Sequence, residues 1–153
     1  MRANVRGLNS AYWLAHRILR SSARVVYGTV YDIPRAIGQV DVSTFCSVLL
    51  HLRDRFLALC NAARLTRETI LVTDVVVPDA SSETATPTQR LPLMYFVPDF
   101  RKGDPLAAWW YLTPEIVAAF LGLLGFKKSE VTYPTQRSRW GDKPLFSVVA
   151  KRT

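Results

Sequence analysis

Two side chains able to do chemistry stand just past two neighbouring apolar runs: Asp32 after "VVYGTVY" and His51 after "STFCSVLL". A carboxylate accepts hydrogen bonds from amines and hydroxyls, and a neutral imidazole, with an ordinary pKa of about 6.5, can take up a proton. In open α/β sheets ligands bind where strands hand over to helices, at the carboxyl ends. An acid and a histidine at two such handovers raise the question of whether this stretch is a ligand-binding rim, and for which ligand. Each also has a structural reading. Asp32 can be a turn residue before Ile33 and Pro34, and His51 can orient the loop into a helix that begins at Asp54.

The elements that must position them follow from hydrophobic spacing. Residues 8 to 20 place Leu8, Tyr12, Ala15 and Leu19 on one helical face, with Trp13 and Ile18 beside it and Asn9 or Ser10 as cap. "ARVVYG" predicts a short buried strand ended by Gly28. "VDVSTFCSVLL" is apolar on both faces, as a central parallel strand would be. A helix from Asp54 to Arg64 follows, with Asp54 capping and Phe56, Leu57, Cys60 and Ala63 as its core stripe. "TILVTDVVV" then predicts a strand stopped by Pro78. Strand, helix and strand at this spacing make a βαβ unit with a parallel sheet.

Residues 78–89 are small and polar, a surface loop. An aromatic stretch from Leu91 to Leu112 precedes a helix with Thr113 as cap, Pro114 at its first position and Gly125 at its end. Ile116, Phe120, Leu123 and Leu124 are its expected stripe. "KKSEVTY" and "PLFSVVAKR", with no helix between them, predict an antiparallel hairpin. The whole is one α/β domain without internal repeats.

At 153 residues the chain can bury a core, and it holds no apolar run of the roughly 18 residues that span a bilayer. No signal-peptide core is visible, since Asn9, Ser10, His16 and Arg17 interrupt it. A cytoplasmic protein with reduced, buried thiols at Cys46 and Cys60, neither in metal-like spacing, is expected. His16 reads as a surface residue. The net charge of +8 suits anionic partners, but the arginines are scattered, with only "LRDRF" and "TQRSRW" near to clusters.

The order "VVYGTVYDIP…VDVSTFCSVLLHLRDRFLAL…ETILVTDVV…WWYLTPEIVAAFLGLLGF" resembles the C-terminal two-thirds of a class I S-adenosylmethionine-dependent methyltransferase. The likeness is to small-molecule methyltransferases and to enzymes that modify the tRNA wobble uridine. It covers the chain from about Asn9 onward, and the pairing of "YDIP" with "VLLHLRD" is its most specific part. The resemblance implies a Rossmann-like sheet, mostly parallel with an antiparallel C-terminal hairpin, and S-adenosylmethionine (SAM) as cofactor. By the same resemblance Asp32 accepts from the adenine amino group while the Ile33 amide faces the ring. Phe45, Cys46 and Ser47 pass beside the methionine portion. His51 sits at the mouth of the methyl-transfer pocket as general base; the aromatic patch, with Trp109 and Tyr111, reads either as an acceptor wall or lid or as core packing of the last helix onto the sheet.

The chain departs from that pattern at its start. No G-x-G occurs, and the two βα units that would carry the glycine-rich loop and the ribose-binding acid are absent. An N-terminally truncated methyltransferase is therefore expected, with an open apolar edge on the "VDVSTFCS" strand that invites self-association. Its partner is a small-molecule acceptor, or tRNA on the strength of the charge. The rival from another class is a non-catalytic remnant that binds a partner through the open edge.

Overall fold

One parallel pair of strands, joined by one helix, is the centre on which the rest is built. The computed structural model describes residues 2–76, 91–98, 108–139 and 141–153. Strand β1 (Val40–Cys46) pairs in parallel with β2 (Thr66–Val75), and α2 (Arg55–Ala63) connects them. An N-terminal helix, α1 (Arg2–Ile18), precedes this unit. After it come a small antiparallel ladder, β3 (Met94–Phe96) with β4 (Trp110–Leu112), and helix α3 (Pro114–Leu123). The chain ends in β5 (Lys128–Thr132), the two-residue β6 (Thr135–Gln136) and β7 (Lys143–Lys151). The main sheet runs β1-β2-β7-β5, with β7 antiparallel to both neighbours. Parallel pairing among the described residues is confined to β1 and β2, and the expected hairpin is β5 with β7.

Alternation along the strands sends Phe45, Ile70, Val72, Phe146, Val148 and Ala150 to one face, where they are buried with Ala58, Leu59 and Ala62 of α2 and Val117 and Leu121 of α3. Both α2 and α3 lie on this face, and Phe56 of α2 meets Phe120 of α3 with ring centroids 5.1 Å apart. On the other face Thr44 and Cys46 are exposed, and Leu71, Val75, Leu145 and Val149 are only half-buried.

The caps explain where the helices begin and end. Asp54 accepts from the Leu57 N–H at 2.9 Å and starts α2. Thr113 starts α3, and Gly125, at φ 93, ends it in a Schellman turn. There the Phe126 N–H donates to the Leu121 carbonyl and the Gly125 N–H to the Gly122 carbonyl. Phe126 and Leu121, both fully buried, make the hydrophobic contact that goes with this turn.

Several expectations are corrected. "ARVVYG" forms no strand, and Val25, Val26 and Tyr27 are exposed, because no neighbouring strand among the described residues supplies hydrogen-bond partners. "VDVSTFCS" is an edge strand, with Val42 52% exposed; this agrees with the open edge expected from the missing βα units and corrects the central position its two-faced apolarity suggested. The α2 stripe is Arg55, Ala58, Leu59, Ala62 and Ala63, with Leu57 exposed. Small alanines face the sheet, and the larger Phe56 is left for α3. In α3 Val117 and Leu121 are fully buried and Ile116, Phe120 and Leu124 of the expected stripe pack partly buried against the core, while only Leu123 of that stripe lies in solvent. Helix α1 begins well before Asn9 or Ser10, and its apolar residues Leu8, Leu14 and Ile18 are exposed. His16 lies at the surface, as expected, and is half-buried there: its ring lies against the exposed Tyr12 and Trp13, and its Nε2 bonds the Ala23 carbonyl at 2.9 Å. Neither thiol is buried. Cys46 faces the uncovered side of the sheet and Cys60 is half-buried, both as free thiols. The polar loop at 78–89 lies outside the described residues.

Thr113 does more than cap. Its hydroxyl accepts from the Leu93 N–H at 3.0 Å and donates to the Leu91 carbonyl at 2.9 Å, tying the β3–β4 ladder to α3. Thr113→Ala should cost about 2 kcal/mol, a lost cap plus buried backbone groups left unpaired, and Thr113→Ser should restore most of it. Urea-unfolding midpoints of the three proteins measure this.

Candidate functional site

The carboxyl end of β1 is where the chemically able residues gather. β1 stops at Cys46, and Ser47 takes a left-handed conformation, φ 51, while its N–H donates to the Thr73 carbonyl at 2.8 Å. A non-glycine residue held there is strained, and such strain clusters at ligand sites. The chain then turns through a single 3-10 turn, Leu49–His51, with Leu49 and Leu50 buried and His51 left exposed. Leu52 is extended and half-buried against the core, so the residues on either side of it, His51 and Arg53, both face outward.

Asp74 supports this turn from below. It lies near the end of β2, 2% exposed, and accepts from the Leu50 N–H at 3.3 Å and from the Val75 N–H at 2.9 Å. Burial pushes its carboxyl up from 3.8 to about 6, against the pull of those two donors and of the nearby His51 charge. A buried carboxyl beside the one exposed histidine of the rim is the feature the sequence reading missed. Its only signal was an acid inside the otherwise apolar run "TILVTDVVV".

Asp32 is brought to the same end by its neighbours. Its N–H donates to the Thr29 carbonyl at 3.1 Å, closing a turn that leaves the carboxylate exposed. Tyr31 locks that turn to the His51 turn: its hydroxyl oxygen accepts from the Arg53 N–H at 2.9 Å and from the Asp54 N–H at 3.3 Å. Buried Asn61 of α2 donates to the Val30 and Tyr31 carbonyls at 3.2 and 2.6 Å. Ile33 is half-buried against the core and lines a groove along the open edge of β1. Phe45 is buried, so its side chain belongs to the core and only its backbone reaches the rim. Cys46 and Ser47 are exposed there.

The aromatic ladder closes the other side. The Trp109 N–H donates to the Leu50 carbonyl at 2.7 Å, and the Arg53 guanidinium lies 5.0 Å from the centre of its ring. Arg55, buried, stacks at 4.0 Å on Trp110, and desolvation lowers its pKa. Phe96 meets both tryptophans, at 6.4 and 5.1 Å. Trp109 is thus brought to the His51 turn. Tyr111 pairs with Tyr95 across the ladder, and no hydrogen bond or ring contact joins it to His51 among the described residues.

A wider groove of about 730 Å³ lies elsewhere, lined in part by Cys60, Arg64, Arg67 and Arg152. Its guanidiniums are already engaged: Arg67 pairs with Asp41 at 2.5 Å, Arg64 donates to Asn61, and Arg152 bonds the Ala63 and Thr66 carbonyls. Its size does not make it the site, because the exposed acid, the histidine and the strained turn all lie elsewhere. No helix among the described residues is long and apolar enough to cross a membrane.

No protein-family model and no curated protein matches the sequence. The fold does have solved counterparts. The N-terminal domain of EvdMO1 with S-adenosylhomocysteine (SAH) bound superposes at TM-score 0.60 with 17% identity, over 95% of this chain and 60% of that one. Magnesium protoporphyrin IX methyltransferase from Synechocystis PCC 6803, with bound SAM, gives TM-score 0.53, 13% identity, and 95% and 54% coverage. A SAM-dependent methyltransferase of Thermotoga maritima, a possible histamine N-methyltransferase, gives 0.56, 14%, and 91% and 69%. The chain therefore has the Rossmann-like fold of class I SAM-dependent methyltransferases. It spans about 60% of the EvdMO1 domain and less of the Synechocystis enzyme.

The raised Asp74 value has a sign. The folded state holds this proton more tightly than the unfolded chain, so the stability it confers is full below about pH 4 and lost as pH rises through about 6. The loss is at most about 3 kcal/mol, at about 1.4 kcal/mol per unit. Asp74→Asn should remove this slope and be more stable than the wild type at pH 7.5, as urea unfolding at a series of pH values would show.

Proposed function

We propose that the chain is the part of a SAM-dependent methyltransferase that holds adenine, the sulfonium side of the cofactor and the acceptor, and that it serves methyl transfer to an oxygen or nitrogen of a small molecule. The observation that carries this is the fold likeness, over 95% of the chain, to structures holding SAH or SAM. The residues on the rim fit two portions of that cofactor. The exposed Asp32 carboxylate is an acceptor suited to an exocyclic amine, and its turn is already fixed by Tyr31. The left-handed turn at Ser47 presents backbone at the strand end, beside the free edge of Cys46. The sequence holds no G-x-G for the ribose and amino-acid portions.

SAM, when bound, supplies a methyl group on a sulfonium that is already activated for displacement. What falls to this chain is holding and orienting. Asp32 and Ile33 hold adenine, and the Phe45 backbone, Cys46 and Ser47 border the methionine portion. His51 takes a proton from the acceptor hydroxyl or amine, and Trp109 and Tyr111 wall the acceptor from water. Asp74 keeps the His51 turn in place through the Leu50 N–H.

A second reading is favoured by the edge of β1. A groove of about 370 Å³ runs along it, lined chiefly by Val30, Ile33, Ile37, Val40, Val42 and Phe45. An unpaired apolar strand edge is a docking surface, for a second copy or another chain. On this reading the chain is a non-catalytic interaction module.

Isothermal titration with SAH separates the two. The methyltransferase reading expects measurable binding, weakened about 10- to 100-fold by Asp32→Asn, the loss of a charge-assisted hydrogen bond of about 1.5–3 kcal/mol. Absence of heat at millimolar SAH, with wild type and variant alike, would favour the module.

A further inference from the structure

The acceptor side of this rim carries a cation that the proposed methyl transfer does not use. Arg53 is exposed, two residues from His51, and its guanidinium lies over Trp109 at 5.0 Å. A guanidinium stacked on a ring has one face covered, while its N–H groups point outward in the plane, a fork matched to carboxylate or phosphate oxygens. Both partners of the stack are held by backbone. The Arg53 N–H donates to Tyr31 at 2.9 Å, and the Trp109 N–H donates to the Leu50 carbonyl at 2.7 Å. The adjacent carboxylate forms no ion pair with Arg53 among the described residues; Asp54 is engaged in capping α2 at the Leu57 N–H. Arg55 next along is different: it is buried, stacked on Trp110 and bonded to the Arg53 carbonyl and Met94 sulfur, which makes it a structural cation.

His51 and Arg53 are both exposed, two positions apart on either side of half-buried Leu52. Phe96, 61% exposed and in contact with both tryptophans, adds a flat apolar neighbour. The geometry points to an acceptor of defined class: a small, flat, aromatic molecule bearing an oxyanion, held by Arg53 so that its nucleophilic hydroxyl or amine faces His51. Arg53 is thus the specificity-determining residue of the acceptor site. This rests on the methyltransferase reading for the role of His51, whereas the oxyanion site itself does not.

The test is isothermal titration of the full chain, with and without SAH, using three phenols: 4-hydroxybenzoate, 4-hydroxyphenyl phosphate and neutral 4-hydroxybenzamide. An Arg53 site binds at least one anion about tenfold or more tightly than the amide, the scale of a hydrogen bond to a charged group. The ranking of the two anions tells carboxylate from phosphate. Arg53→Gln should abolish the preference, and Arg53→Lys should restore part of it as a point charge without the fork. Circular dichroism confirms that these surface variants remain folded. Equal affinity for all three phenols, no binding of any at millimolar concentration, or a preference that survives Arg53→Gln overturns the inference. An Arg53-dependent preference without SAH binding sustains the oxyanion site and removes the methyltransferase reading. SAH binding without the preference does the reverse.

Discussion

One side-chain amide holds the rim together. Asn61, buried in the last turn of α2, donates to two successive carbonyls, Val30 and Tyr31, in a segment with no strand of its own. In a complete sheet such a segment would be fixed by ladder hydrogen bonds. Here those carbonyls are satisfied by the amide, and the Tyr31 hydroxyl returns the favour by accepting from the backbone that starts α2. A buried carbonyl without a partner is costly, so the clamp keeps the Asp32 turn against the His51 turn. The proposed cleft depends on this, because its two ends come from segments nineteen positions apart and otherwise unconnected by sheet.

A second constraint is the asymmetry of the sheet. Both α2 and α3 cover one face, and the core is built there from alternate residues of β1, β2 and β7. The opposite face carries hydroxyls as well as hydrocarbons, with Thr73 and Ser147 bonded to each other at 2.7 Å. That mixture tolerates partial exposure better than the valines and isoleucines of the inner face would. The edge of β1 and the exposed stripe of α1 are different, being apolar and uncovered.

Much of the architecture was legible because it rests on local signals. The caps at Asp54 and Thr113, the stop at Gly125 and the alternation in "TILVTDV" are each set by a few neighbouring residues. The strand foreseen in "ARVVYG" failed for a nonlocal reason: β-propensity needs a neighbour with which to pair. The helical stripes were misjudged in a related way. Periodicity says that one side of α2 is apolar, but only packing decides whether Phe56 or Ala58 faces the sheet.

The site divides along the same line. Asp32 and His51 could be picked out as chemically able residues after apolar runs, and Ser47 through the family resemblance; their types are a property of the sequence alone. So are the net charge, the helix caps and the lack of a G-x-G. What the tertiary structure decided is which of them share a surface. It put buried Asp74 under the His51 turn, placed Arg53 over Trp109 from another part of the chain, and turned Phe45 into the core. Those outcomes depend on contacts between residues far apart in sequence. Burial and charge environment are set by what folding packs around a group, and no local pattern of residue types encodes that.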